Sequence, residues 1–391
     1  MPSDRSQNLM KFSAFLSTCL LFFMTTAGVT SAQTQHGSAP EDQPQVLPPL
    51  RPDLSATPSS SAETSLFPEV VESAMTLRVA TGPVRGGYYA VGGVLCDLIN
   101  AQTARHRIEC LVRPTTGSGE NLAHVLGGSA ELGLVQSDWQ SFAVTSAQDA
   151  STFALDFERL RSVAALYPLA TQIVVRDAIG ARSLSDLQGR RIGLAQEGTG
   201  QRQLADVVLA QAGLGPRDMS VSTFDNDLDM VRALCASSID ALILVGPAPM
   251  QPVDAALNRC DAQLLSIDAD LMEVILGDRE ALVSLSLGEN VYGGQRRQVQ
   301  TLGYVVTLVA SANLDDRLTA EVAQHLLSNV DSYASSHPAL ASVTGTAFFT
   351  RGLTAPLHDG VARYLNDLAQ DFQIISDDSD GGDTLSSQNG G

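Results

Sequence analysis

From Leu77 onward the apolar positions switch between two periods, and the switches are marked by glycines. LRVATG is a short β-rich run ending in a turn, and GGYYAVGGVLCDLINAQ then places Val91, Leu95, Leu98 and Ile99 on one helical stripe. IECLVRPT reads as the next strand, TGSGEN as a turn and helix entry, LAHVLGGS as a helix stopped by glycines, and AELGLVQSD as a third strand. After LRSVAALYP the theme restarts. TQIVVRD reads as a strand, SLSDLQGRRIGLAQEGTG as a short helix and a strand, and QLADVVLAQAGL as a helix ending at Gly213. SIDALILVG and DAQLLSID follow as strands, TLGYVVTLVAS as another, and LTAEVAQHLLSNVDSYASSH as one long helix.

Strands alternating with helices imply a mostly parallel sheet covered on both faces. The pattern occurs twice, so the expected fold class is α/β with two lobes, joined where the chain crosses near Tyr167 and Thr301, and a ligand cleft between them. The expected division is lobe I over 75–168, lobe II over 169–300, and a return to lobe I over 301–375. In such sheets ligands meet the carboxyl ends of the strands, where turns lead into helix N-termini. The corners TGPVRGGYY, TTGSGEN and QSD all follow strands and would line one wall, and AQEGTGQRQ would line the wall opposite. Their N–H groups and hydroxyls suit an anion, above all a carboxylate.

The flanks read differently. Arg5 and Lys11 precede an apolar run from Phe12 to Met24 and small residues at Thr30, Ser31 and Ala32, which is the anatomy of a cleaved signal peptide over 1–32. Export to the periplasm is therefore expected. Residues 33–74 are rich in Gln, Ser, Pro, Ala and Glu and read as a disordered linker, as does the acidic tail over 376–391.

Charge narrows the partners. The chain carries a formal net charge of −19, a surface that repels nucleic acid and anionic lipid. Lys11 is the sole lysine, so the exported chain has neither a Schiff-base lysine nor the lysine of a P-loop, and Arg and backbone N–H groups are left to bind anions. Setting aside Cys19 inside the signal, four cysteines remain and allow three pairings. In a βαβ unit the helix bearing Cys96 packs beside the strand bearing Cys110, and Cys235 and Cys260 are similarly local in lobe II. Either other pairing would tie one lobe to the other and brace the motion that capture requires. Cys96–Cys110 and Cys235–Cys260 are the expected disulfides, with four reduced, buried cysteines as the alternative. Neither Cys-x-x-Cys nor a Cys/His cluster suggests a metal.

These segments closely resemble the TAXI family of solute-binding proteins, the extracytoplasmic receptors associated with TRAP transporters. The likeness runs from Leu77 to about Leu368 through VATGPVRGGYYAVGG, TTGSGENLAHVLGGSAELGLVQSD, LRSVAALYP, SLSDLQGRRIGLAQEGTG, IDALILVGPAP, Tyr292-Gly293 and PLHDGVARY. It implies a periplasmic-binding-protein type II fold that closes on a small carboxylate, a glutamate-like amino acid or dicarboxylate, for delivery to TRAP membrane subunits. The ligand region it implies comprises Gly87, Tyr88, Ser118, Asn121, Gln136, Ser137, Asp138 and Tyr167, with Gly198, Thr199 and Gly200 from lobe II. The chain departs from the family where Gly-Ser-Gly-Thr becomes Gly198-Thr199-Gly200-Gln201 and where His-Pro-Gly-Ala becomes His358-Asp359-Gly360-Val361. A monomer without a cofactor or catalytic residues is expected.

Plainer readings stand beside these. Gly-Ser and Gly-Thr corners also serve as helix caps. Tyr88 and Tyr167 could be core aromatics, Trp139 reads as packing, and Asp138 either contacts solute or caps a helix. His106, His124, His325 and His337 read as surface or cap residues and His358 as structural. An enzyme would need a base beside a hydroxyl, and no Gly-x-Ser-x-Gly elbow occurs. A receptor reporting the same solute to a membrane sensor has the same sequence features as a transport receptor.

Overall fold

The computed structural model describes residues 75–147, 155–277 and 279–380, all within one compact unit, Val70–Gly391. The expected signal peptide and linker lie outside the described residues. The chain opens with β1 (Met75–Ala80), α1 (Gly87–Asn100), the single turn α2 (Thr103–His106), β2 (Ile108–Arg113), α3 (Ser118–Leu126), β3 (Leu132–Gln136) and α4 (Ser137–Ser146). β4 (Leu160–Arg176) leads into β5 (Arg191–Ala195), α5 (Gly200–Gln211), β6 (Ser220–Phe224), α6 (Asp227–Cys235), β7 (Ala241–Gly246), α7 (Gln251–Arg259), β8 (Ala262–Leu265), α8 (Ala269–Leu276) and β9 (Val283–Leu287). β10 (Val299–Ser311) returns to the first lobe, followed by α9 (Asp316–Ser328), α10 (Val330–Ser336) and α11 (Asp359–Asp380). The backbone of α11 thus runs past 375, where the acidic tail was expected to start; residues 381–391 lie outside the described residues.

The main sheet has the order β2-β1-β3-β10-β4-β7-β5-β6, with β8 on β4 and β9 on β10. β1 pairs in parallel with β2 and β3, and β5 in parallel with β6 and β7. Between these two parallel sets run the long strands β4 and β10, antiparallel from Leu160↔Ser311 to Gly303↔Ala170. β10 joins β3 at one end, β4 joins β7 at the other, and the ladder shifts register twice, between Val306 and Thr307 and between Leu308 and Val309. LRSVAALYP and TQIVVRD, expected as separate pieces, are therefore one strand of 17 residues. It is buried nearly throughout.

Local rules account for most elements. α1 buries Val91, Leu95 and Ile99 against the sheet, worth about 1.5–3 kcal/mol for each side chain. Both expected disulfides are present, with Cα atoms 4.9 Å apart for Cys96–Cys110 and 4.4 Å for Cys235–Cys260. The C-terminal half differs more from expectation. The single long helix after β10 is two, because the chain breaks helical geometry at Asn329, whose Nδ2 donates to His325 O at 2.8 Å. β6, α8, β9 and α11 are additional elements.

Two histidines are also placed differently from expectation. His106 and His325 are buried and stack edge to face with ring centroids 5.0 Å apart. His106 Nδ1 accepts from Ile108 N at 3.0 Å while Nε2 lies 3.1 Å from Ile99 O and donates to it. Burial lowers the pKa of His325, and the two rings pack α2 against α9.

Candidate functional site

Three turns of lobe I bring their helix N-termini to the carboxyl edge of β1, β2 and β3. α1 follows Gly86, α3 follows Gly117 and α4 follows Gln136, and none of the three begins with a side-chain cap. Apart from Trp139 N, which Asp138 Oδ1 holds, their first N–H groups therefore keep their partial positive charge for something else. The corners are wired together by the residues the sequence singled out. Ser118 Oγ accepts from Gln136 N at 3.1 Å and lies 3.4 Å from the Tyr88 hydroxyl. A Cβ added at Gly87 would stand 3.5 Å from the Tyr167 hydroxyl, so the β4 tyrosine reaches the start of α1. Burial raises the pKa of both Tyr88 and Tyr167, which keeps them neutral hydrogen-bonding groups.

Asn121 and Ser137 sit deeper. Asn121 is fully buried; its Nδ2 donates to Thr81 O at 2.5 Å and Leu134 O at 2.6 Å, and Thr115 Oγ1 donates to its Oδ1 at 2.6 Å. One side chain thus staples the ends of β1, β2 and β3, and its polar atoms are spent. Ser137, also fully buried, donates to Ala281 O at 2.6 Å and accepts from Val305 N at 3.1 Å. It ties lobe I to the segment between α8 and β9 and to the crossing strand β10. Both residues build the wall from behind.

Asp138 is half-buried in the first turn of α4, where its Oδ1 accepts from Trp139 N at 2.7 Å. Burial raises its pKa, opposed by the Trp139 N–H and the Gln136 side chain. Trp139 packs on the opening of α3, where a Cβ at Gly119 would meet its ring at 3.2 Å. Sequence reasoning missed Tyr304. The register pairs Tyr304 with Leu169, two residues from Tyr167 and therefore on the same face of the crossing strands. Burial and then the Asp138 carboxylate raise its pKa, while Arg279 acts in the opposite direction. Strand alternation in TLGYVV was the available signal. Among the described residues no three His, Cys, Asp or Glu side chains gather to hold a metal ion.

Lobe II contributes the start of α5. Gly198 sits at φ 84°, the left-handed turn that glycine tolerates, and Thr199 caps the helix by accepting from Arg202 N at 3.2 Å. A Cβ at Gly200 would lie 3.5 Å from Gln136 Nε2, so the two walls meet there. A pair of lobes built on parallel strands, joined by two crossing strands and opposing their helix N-termini across a cleft, defines the periplasmic-binding-protein type II fold.

Residues 79–367 match the NMT1-like family, and the chain belongs to it. Among solved structures it is similar to the periplasmic aliphatic sulphonate binding protein SsuA from Escherichia coli, at 16% identity over 75% of this chain and 79% of that one, with a TM-score of 0.42. It is also similar to the alkanesulfonate-binding protein SsuA from Xanthomonas axonopodis pv. citri bound to MOPS, at 18% identity over 77% and 93% with a TM-score of 0.38. An ancestral arginine-binding protein bound to arginine matches at 14% identity over 67% and 96%, with a TM-score of 0.37. No helix among the described residues is long and apolar enough to cross a membrane.

Proposed function

We propose that this chain is an extracytoplasmic receptor that captures one small organic carboxylate between its lobes and delivers it to TRAP-type membrane subunits. The observation that carries the reading is the convergence of three uncapped helix N-termini on the Tyr88–Ser118–Gln136 chain, opposite the start of α5. Backbone N–H groups in that arrangement neutralise a carboxylate without any lysine. Tyr88, Ser118, Gln136 and Tyr167 offer polar atoms to the solute from lobe I, and Gly198, Thr199 and Gly200 offer backbone from lobe II. Asn121 and Ser137 act by holding that wall. Asp138 and Tyr304 add an acceptor beside the anion-binding corner, which favours an α-amino acid with an ammonium group over a plain dicarboxylate. Ser118 Oγ is held by Tyr88 and by Gln136 N rather than by a base, which supports capture over catalysis.

The lobes part within β4 and β10, at 168/169 and 300/301, and an occupied cleft favours the closed state because the solute contacts both walls. A calorimetric screen of amino acids and dicarboxylates against the exported chain should find a saturable binder, with glutamate-like amino acids ahead of dicarboxylates. Binding confined to sugars or cations overturns the reading.

A further inference from the structure

The crossing strands have a second face, and it is not closed. By the alternation of β4 and β10, Pro168, Ala170 and Val305 point away from Tyr167 and Tyr304. A groove of about 500 Å³ is lined by these residues together with Leu285, Leu287 and Val343, and Tyr167 also contributes to its lining. Its size is that of a small-molecule site, in the range of roughly 300–1,000 Å³. The lining is apolar apart from a few polar groups, and Arg351 stands at its rim. In a chain of net charge −19, Arg351 forms neither an ion pair nor a hydrogen bond with any described residue. An unpaired guanidinium beside an apolar trough is complementary to a carboxylate carrying a hydrocarbon tail.

We propose that this groove, which touches Tyr167 but not Ser118, is a second binding site for an amphiphilic monocarboxylate whose tail lies along Ala170, Leu285 and Leu287 and whose head pairs with Arg351. A small dicarboxylate would leave the apolar lining uncovered, and a neutral tail would leave the cation unpaired. Leu285 and Leu287 come from lobe II, Val343 and Arg351 from the segment before α11, and Pro168 and Ala170 from a crossing strand. The occupant therefore spans the hinge, and its affinity depends on the hinge angle.

Octanoate titrated into the exported chain by calorimetry tests this. One saturable site is expected, at least tenfold weaker for 1-octanol and at least tenfold weaker for Arg351→Gln, with Arg351→Lys recovering part of the loss. Because Arg351 is exposed and unbonded, both variants keep the fold, which circular dichroism verifies. Ser118→Ala should leave octanoate affinity within twofold. Absence of saturable binding, equal affinity for octanol, indifference to Arg351→Gln, or a tenfold loss in Ser118→Ala would each overturn the proposal. The last of these would place octanoate in the front cleft instead.

Discussion

The two walls of the cleft are built from the same kind of corner and treat their polar groups in opposite ways. In lobe I three helices begin uncapped, and the hydroxyls nearby bridge one corner to the next. In lobe II the corner satisfies itself: Thr199 Oγ1 donates to Gln196 O at 2.8 Å and accepts from Arg202 N, and Arg202 is held by Asp206 at 2.9 Å. A wall with open donors binds an anion by itself, whereas a self-satisfied wall contributes backbone and shape once it swings in. If the chain captures solute as proposed, the contrast gives first contact to lobe I and closure to lobe II.

The strongest way to break the contrast is to remove the staple behind the open wall. Asn121→Ala removes the side-chain donor to Leu134 O and one of the two side-chain donors to Thr81 O, which keeps Thr115 Oγ1, a loss of about 2 kcal/mol, which urea denaturation would read. The same variant should bind solute more weakly, because three corners lose their common anchor. A sharper version compares the two walls directly. Ser118→Ala should weaken solute binding about tenfold, the equivalent of one charge-assisted hydrogen bond. Thr199→Val, by contrast, should cost about 1 kcal/mol of stability as a lost cap and change affinity less than threefold. Equal affinity losses in the two variants would remove the distinction.

The smallest expected effect concerns Asp138. Burial holds its folded pKa above the ordinary carboxylate value, so its protonated form favours the fold. That stabilisation is present below about pH 3.9 and is lost as pH rises through the raised folded value. Asp138→Asn should therefore melt higher than the parent at neutral pH, with the advantage vanishing in acid, as a pH series of thermal melts would show. Binding should move the other way for a solute with an ammonium group and improve for a plain dicarboxylate.

Much of lobe I was legible because glycine turns and the change from period two to 3.6 coincide in TGPVRGGYY and TTGSGEN. The corners of the proposed site were legible as turns for the same reason. What stayed hidden depended on partners far along the chain. Asn121 lies on a helix among buried Leu122 and Val125 and bonds a carbonyl 40 residues away; spacing alone does not show whether such a residue faces ligand or backbone. The burial of His106 and His325 likewise arises from packing between α2 and α9. β9 carried a usable pattern, with Val283, Leu285 and Leu287 alternating with serines, whereas β6 is an exposed edge strand with little apolar alternation to read.

The position of Trp139 has an optical consequence. It is the sole tryptophan of the chain, and it packs on Gly119 beside the Ser118 corner while its backbone N–H is held by Asp138. Selective excitation of the unlabelled protein therefore reports from a single indole at the mouth of the cleft. A shift in its emission maximum registers changes beside the Ser118 corner, and a quencher dissolved in the buffer tests whether the second wall closes over it.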